Sequence, residues 1–320
     1  MTAQFLVTLA ASALLCGLYL PLARHLQLLD RPNKRSAHQL PTPHGGGIAI
    51  LLAFGLGVAM TWPWNSAYLG MTGLAVILAI VGVLDDVWNR SVRVIMVVYA
   101  ICSLALAWLL LPSAALPALL LAALAILWMV NLYNFMDGID GIAATQCILA
   151  CCGAALLASI GAAPGSEDYV IFCLLLAAAH VGFLFWNWPP ARLFMGDAGS
   201  VPTGLLLSGL ALLGWAQGIV ELACWLIMLA VFLTDSTWTL LWRLFSGQPV
   251  TQAHSLHAYQ RISRRLQSHR RVDLLLVAIT VFWLLPLAWV AASAPQYAWI
   301  LVILAYLPLL FGMVRVGKFA

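Results

Sequence analysis

Apolar runs long enough to cross a bilayer recur along almost the entire chain, with only short polar connections between them. A transmembrane helix needs about 20 mostly apolar residues. Eleven runs meet or approach that length: residues 3–22, 48–64, 67–83, 94–111, 119–132, 142–160, 169–186, 201–213, 219–242, 274–291 and 299–314. Of 320 residues, 64% are hydrophobic and 8% charged, against about 25% charged in an ordinary soluble domain. A water-soluble enzyme is excluded. The pattern predicts an all-α polytopic integral membrane protein of about 11 helices, forming one domain over residues 1–320. A transmembrane barrel would alternate apolar and polar residues in segments of about 10, whereas residues 119–130 are continuously apolar. The seven cysteines all fall within apolar runs, without a C-x-x-C pair, and read as small packing residues. No basic n-region or A-x-A site accompanies the first run, which is expected to be a retained helix.

Charge gives the topology. With the N-terminus outside, every odd-numbered helix ends in the cytoplasm, and all 15 Lys and Arg residues then lie on the cytoplasmic side. The opposite loops carry only acids, Glu167, Asp168 and Glu221. External connections are short turns rich in Pro, Gly and Ser, whereas the cytoplasmic connections are longer and hold the unusual polar residues. Function is therefore expected on the inner face of the membrane.

Five inner-face segments carry candidate chemistry. Asp85 and Asp86 end the third run, where adjacent carboxylates repel and a cation would relieve them; a solvated helix end paired with Arg90 and Arg93 is the plainer reading. Asn131, Asn134, Asp137 and Asp140 follow at three-residue spacing in N-L-Y-N-F-M-D-G-I-D-G, so on a continuing helix they would share a face. Hard oxygen donors of this kind suit Mg²⁺, which takes one or two carboxylates plus substrate phosphate oxygens. An ordinary capped helix end is the alternative. Phe194-Met-Gly196-Asp197-Ala-Gly199-Ser200 precedes the eighth run, where glycines permit close approach and helix N-terminal amides attract phosphate.

The loop over residues 243–273 contains His254, His257 and Arg261, then Arg264, Arg265, His269, Arg270 and Arg271. Clustered arginine can clamp a pyrophosphate, while the distal arginines also fit an attraction to anionic lipid. An H-x-x-H zinc pair would lack a third protein ligand nearby. The first loop, with Arg35 and His38, has basic residues before a rigid Pro and flexible Gly hinge. His25 and His180 read as structural, and Asp235 divides evenly between supporting the site and pairing with Arg243.

Taken in order, D-R-P-x-x-R-x-x-H-x-x-P-T-P-x-G-G-G, L-D-D, N-x-x-N-F-x-D-G-x-D-G, F-M-G-D-x-G-S and H-x-x-H-x-Y-Q-R resemble the motifs of the polyprenyl-phosphate N-acetylhexosamine-1-phosphate transferases, glycosyltransferase family 4. The match spans residues 30–261. The resemblance implies transfer of a sugar-1-phosphate from a UDP-sugar to undecaprenyl phosphate, with release of UMP. It implies Mg²⁺, with Mn²⁺ as a substitute, held by Asp197 with Asn134 helping. Asp85, Asp86 and Asp197 would be catalytic, the first two facing the lipid phosphate. Asn131, Asn134, Asp137 and Asp140 would hold nucleotide or sugar, Phe194 would stack on uracil, and His254, His257 and Arg261 would clamp the diphosphate, with Arg35 and His38 also binding substrate.

The last motif lacks the consecutive histidines of the peptidoglycan and typical GlcNAc-1-phosphate enzymes. It looks more like the WbpL-like branch that initiates O-antigen, whose donors include UDP-GlcNAc, UDP-FucNAc and UDP-QuiNAc. A homodimer is compatible with this reading, and no nucleic-acid partner is expected. The rival class is a transporter or lipid flippase, which would place polar groups near the midplane on broken helices and commonly shows inverted repeats.

Overall fold

The computed structural model describes residues 2–32, 40–88, 91–161, 163–248 and 254–316, apart from the side chains of 86–88. The helices are α1 (Thr2–His25), α2 (Gly47–Met60), α3 (Ser66–Trp88), α4 (Val92–Leu110), α5 (Leu116–Met136), α6 (Ile142–Gly161) and α7 (Ser166–Asn187). They continue with α8 (Asp197–Ala216), α9 (Leu222–Met228), α10 (Ala230–Phe245), α11 (Ala258–Leu266), α12 (His269–Ile279), α13 (Leu285–Ser293) and α14 (Ala298–Val316). A π-helical turn, Thr280–Leu284, joins α12 to α13. Two short strands, β1 (Leu29–Asp30) and β2 (Thr42–Pro43), pair antiparallel with Leu29 opposite Pro43.

The all-α membrane architecture is as expected, but the eleven runs are not eleven equal spans. Among the described residues nine spans are long and apolar enough to cross a membrane, and α9 with α10 makes a tenth that is bent by 73°. The second run yields α2, of only 14 residues, which stops at Met60 ahead of Trp62-Pro63, where the residue before proline is pushed out of the helical region. The ninth run breaks at Leu229 (φ −93°, ψ 4°), with neither Gly nor Pro at the break. Two of the longer helices bear on function: α5 extends to Met136 and so carries Asn131 and Asn134, and α8 starts at Asp197.

The centre of the bundle is α8. Of its apolar window, 89% is buried, against 22% for α1 and for α14. In lipid there is little hydrophobic drive between helices, so close packing relies on small residues. Glycines recur along α8, and each admits a neighbour: Gly199 the backbone of Gly47 on α2, Gly204 the backbone of Val130 on α5, Gly209 the Met71 side chain on α3, and Gly214 the Tyr169 ring on α7. Gly82 on α3 lies as close, since a Cβ there would sit 2.6 Å from both the Asp197 carbonyl carbon and the Ala198 nitrogen.

The glycine run at 45–47 is therefore not a flexible hinge. Gly46 N donates to Phe194 O and Gly47 N to Met195 O, both at 2.9 Å, and Phe194 N donates to Pro43 O at 2.8 Å. These bonds lock the first loop onto the segment that leads into α8. Gly47→Ala should force α2 and α8 apart, because its Cβ would overlap the backbone of Gly199. Thermal melts in detergent should show a loss on the order of 1–3 kcal/mol. Gly55→Ala, with nothing within 4 Å of its Cβ, should show no loss.

Candidate active site

Asp197 is the first residue of α8, with Gly196 as N-cap, so its carboxylate sits at the positive end of the most buried helix dipole. Asn134, in the last turn of α5, donates through Nδ2 to Asp197 Oδ1 at 2.7 Å and to Ser200 Oγ at 3.0 Å. Asp85 lies one turn beyond Gly82, on the helix edge that abuts the Asp197–Ala198 backbone. Three segments far apart in sequence thus converge at one end of the bundle. The side chain of Asp86, together with Arg35 and His38, lies outside the described residues.

The four-residue polar row does not continue as one helical face. α5 ends at Met136, Asp137 is its C-cap (φ −82°, ψ 52°), and only Asn131 and Asn134 are helical. Asn131 turns back on its own helix, donating to Leu127 O at 2.7 Å. Asp137 is half-buried beside the site; desolvation, then the nearby Asp197 and Asp140, hold its carboxyl well above the usual range. Asp140 is turned away and buried. Its Oδ2 accepts from Ala191 N at 3.0 Å and lies 3.1 Å from His269 Nδ1. Geometry makes Asp140 a fastener between the 137–141 turn, the 187–200 segment and α12.

The two glycines of that turn have separate reasons. Gly138 lies against Tyr259, whose hydroxyl donates to Phe135 O at 3.0 Å, and a Cβ at 138 would overlap that hydroxyl. Gly141 needs φ +79°, which an L side chain rarely adopts, and donates its N–H to Asn187 Oδ1 at 2.9 Å. A Cβ at 141 would also come within 2.6 Å of Asp273 Oδ2. Asp273 is fully buried on α12, and among the described residues neither of its oxygens has a hydrogen-bond partner.

The third wall is the α11 region. His254 and His257 stack with ring centroids 4.9 Å apart, and His257 stacks at 5.8 Å on Tyr259. Burial, His257 and Arg243 together pull His254 down to about 4, so its ring is neutral at pH 7 and offers hydrogen bonds, not charge. Partial desolvation, then the neighbouring Arg265 and Arg264, lower Arg261 from the ordinary arginine range, as expected of crowded cations that an anion would relieve. Phe194 is half-buried, on the segment that leads into α8.

Residues 68–215 match the model of glycosyl transferase family 4. A probable undecaprenyl-phosphate N-acetylglucosaminyl 1-phosphate transferase of Bacillus subtilis is 27% identical over 86% of this chain and 80% of its own. A decaprenyl-phosphate N-acetylglucosaminephosphotransferase of Mycobacterium leprae is 26% identical over 81% of this chain and 76% of its own. A phospho-N-acetylmuramoyl-pentapeptide-transferase of Chlamydia trachomatis matches a shorter stretch, 36% identical over 36% of this chain and 33% of its own. Over residues 68–215 the chain is thus similar to glycosyl transferase family 4, and over most of its length to polyprenyl-phosphate N-acetylglucosamine-phosphate transferases.

The family segment holds Asp85, the 131–141 turn and Asp197, and leaves the α11 wall outside it. Sequence reasoning missed three members of the site's frame. Asn187 bridges Gly141 N and Leu193 O, at 2.9 Å each. His269 had been grouped with the distal arginines, and Asp273 is one more acid near a helix start. None stands in a motif whose spacing would single it out. The contact between Gly138 and Tyr259 yields a test. Gly138→Ala should lower transferase activity by about 10²-fold through displaced α11 geometry, and adding Tyr259→Phe should recover part of that loss in the same assay.

Proposed function

We propose that this protein transfers an N-acetylhexosamine-1-phosphate from a UDP-sugar to undecaprenyl phosphate on the cytoplasmic face of a bacterial inner membrane, releasing UMP. The observation that carries the reading is the juxtaposition of Asp197, Asn134 and Asp137 with Asp85 on one side and the α11 imidazoles and guanidiniums on the other. Acids that crowd one another and cations that crowd one another, meeting at one end of the bundle, suit a ligand carrying both a divalent cation and phosphates.

The donor set fits Mg²⁺. Among the described residues no three His, Cys, Asp or Glu side chains form a group that could hold a metal ion by themselves, so the ion would be held by few protein ligands and complete its shell with phosphate oxygens and water. Asp197 would hold it with one carboxylate oxygen, and Asn134 with its amide oxygen after a flip of the amide that exchanges the Nδ2 hydrogen bonds to Asp197 and Ser200 for a bond to the ion. When bound, the ion supplies charge neutralisation on the transferring phosphate.

The chain's own residues then have to position and screen. An oxygen of the lipid phosphate attacks the phosphorus that bears the sugar; the new P–O bond forms as the bond to the UMP phosphate breaks, and UMP leaves with that electron pair. A phosphate monoester loses its second proton near pH 6, so the acceptor is largely a dianion at neutral pH and needs no strong base. Asp85 would face the lipid phosphate and take a residual proton. Arg261 and His257 would hold the diphosphate of the donor, and Phe194 would offer a face to uracil. Such a reaction gains most from positioning and electrostatics. Motif likeness to the O-antigen-initiating branch favours a 6-deoxy amino sugar or GlcNAc as the donor sugar. The lipid-linked product would begin a cell-surface polysaccharide.

Purified protein given undecaprenyl phosphate, a panel of UDP-N-acetylhexosamines that includes 6-deoxy forms, and Mg²⁺ should release UMP and form one lipid-linked product by mass spectrometry. Chelator should stop it, and Asp197→Ala should lower the rate by at least about 10³-fold while leaving the melting temperature in place. Folded wild-type protein that releases no UMP from any donor would overturn the reading in favour of a transporter.

A further inference from the structure

α11 begins without a cap of its own. Its N-cap residue is His257, whose side chain makes no capping bond, so the first N–H groups of the helix need acceptors from elsewhere. Asp235, inside α10, supplies them. Its Oδ1 accepts from Ala258 N and its Oδ2 from Tyr259 N, both at 2.9 Å. The same Oδ1 lies 3.2 Å from His257 Nδ1, and Thr239 Oγ1 donates to it at 3.2 Å. Asp235 is 4% exposed and His257 2%, so the contact is shielded from water and from salt.

An ionised carboxylate can only accept hydrogen bonds. Asp235 therefore fixes the proton of a neutral His257 on Nδ1 and leaves Nε2, on the far side of the ring, as the nitrogen available to a ligand. A second carboxylate oxygen tied to the helix backbone prevents the ring and the helix from moving independently. We infer that Asp235 is a positioning residue for the transfer reaction: it caps α11 from α10 and sets both the tautomer and the place of His257. The 73° bend between α9 and α10 bears on this, because α10 after the bend is the element that carries Asp235 under the start of α11. The inference rests on the transferase reading for its catalytic consequence, and on geometry alone for its structural one.

The test separates the two. In Asp235→Asn the amide oxygen keeps the place of Oδ1, where Ala258 N, His257 Nδ1 and Thr239 Oγ1 converge, and the NH2 group meets the Tyr259 N–H donor to donor, which breaks the paired cap and loosens the start of α11 and His257 with it. The variant's kcat should fall by about 10²-fold with KM for the UDP-sugar within about threefold. In a His257→Ala background the same change should cost less than about threefold more, since a residue acting through His257 has nothing left to act on. Hydrogen exchange of residues 254–266 should quicken in Asp235→Asn and further in Asp235→Ala, while α5 and α8 keep their protection. Losses from Asp235→Asn and His257→Ala that multiply, or unchanged exchange in Asp235→Ala, would overturn the inference. If Asp235→Ala does not fold, the Asn variant and the double variant still decide it. If wild-type protein transfers nothing, the catalytic role falls with the transferase reading, and the exchange experiment still shows whether Asp235 holds α11.

Discussion

Everything at the polar end of the bundle depends on how closely the backbones of α2 and α3 approach the first turn of α8. Gly47 on α2, Gly82 on α3 and Gly199 on α8 leave no room for side chains, and that approach brings Asp197 within 2.7 Å of Asn134 from α5. A carboxylate at a helix N-terminus is stabilised by the helix dipole, and an amide partner keeps it hydrogen-bonded without neutralising it. The result is a carboxylate held in one place at the positive end of the most buried helix, its position set by the packing of α2, α3 and α5 around it. A site of this kind is made before any substrate arrives, which is what positioning catalysis requires.

Around this fixed point the remaining elements are fastened by side chains that do not themselves need to meet substrate. Asp140 ties the 137–141 turn to the segment before α8 and to His269, Asn187 ties Gly141 to Leu193, and Tyr259 reaches across Gly138 to the end of α5. Each bond joins two different connections at the same end of the bundle. Several of the family's motif residues thus act as the frame of the site, and fewer are left to face ligand than a reading of motifs alone suggests. That redistribution suits phosphoryl transfer, where many weak constraints on geometry count for more than one reactive group.

How much of this was legible in the sequence follows from the range of the interactions. Helices α3 to α8 were visible because membrane spans announce themselves locally through apolarity. The polar segments were visible because unusual residues stand out against so apolar a chain. The bend at Leu229 was not, since no Gly or Pro marks it and the apolar run passes straight through. The row from Asn131 to Asp140 was misread past Asn134 because three-residue spacing persists in the sequence after the helix itself has ended at Met136. The roles of His269 and Asn187 could not be read, and that of Asp235 only as an even choice between supporting the site and pairing with Arg243: each depends on a partner 22 to 129 positions away, and spacing carries no signal at that distance. The glycine run at 45–47 was noticed for the right residues and the wrong reason, as flexibility where the structure has close contact.

The central claim is that the chain moves a phosphosugar and not a sugar, because its polar groups are arranged around phosphate. UDP-N-acetylglucosamine, or whichever UDP-amino sugar the protein accepts, can be labelled with ³²P at the phosphate that bears the sugar and given to the protein with undecaprenyl phosphate. The account predicts that the label passes into the lipid fraction in step with unlabelled UMP release. Label that stays in water as UDP while sugar appears on the lipid would contradict it.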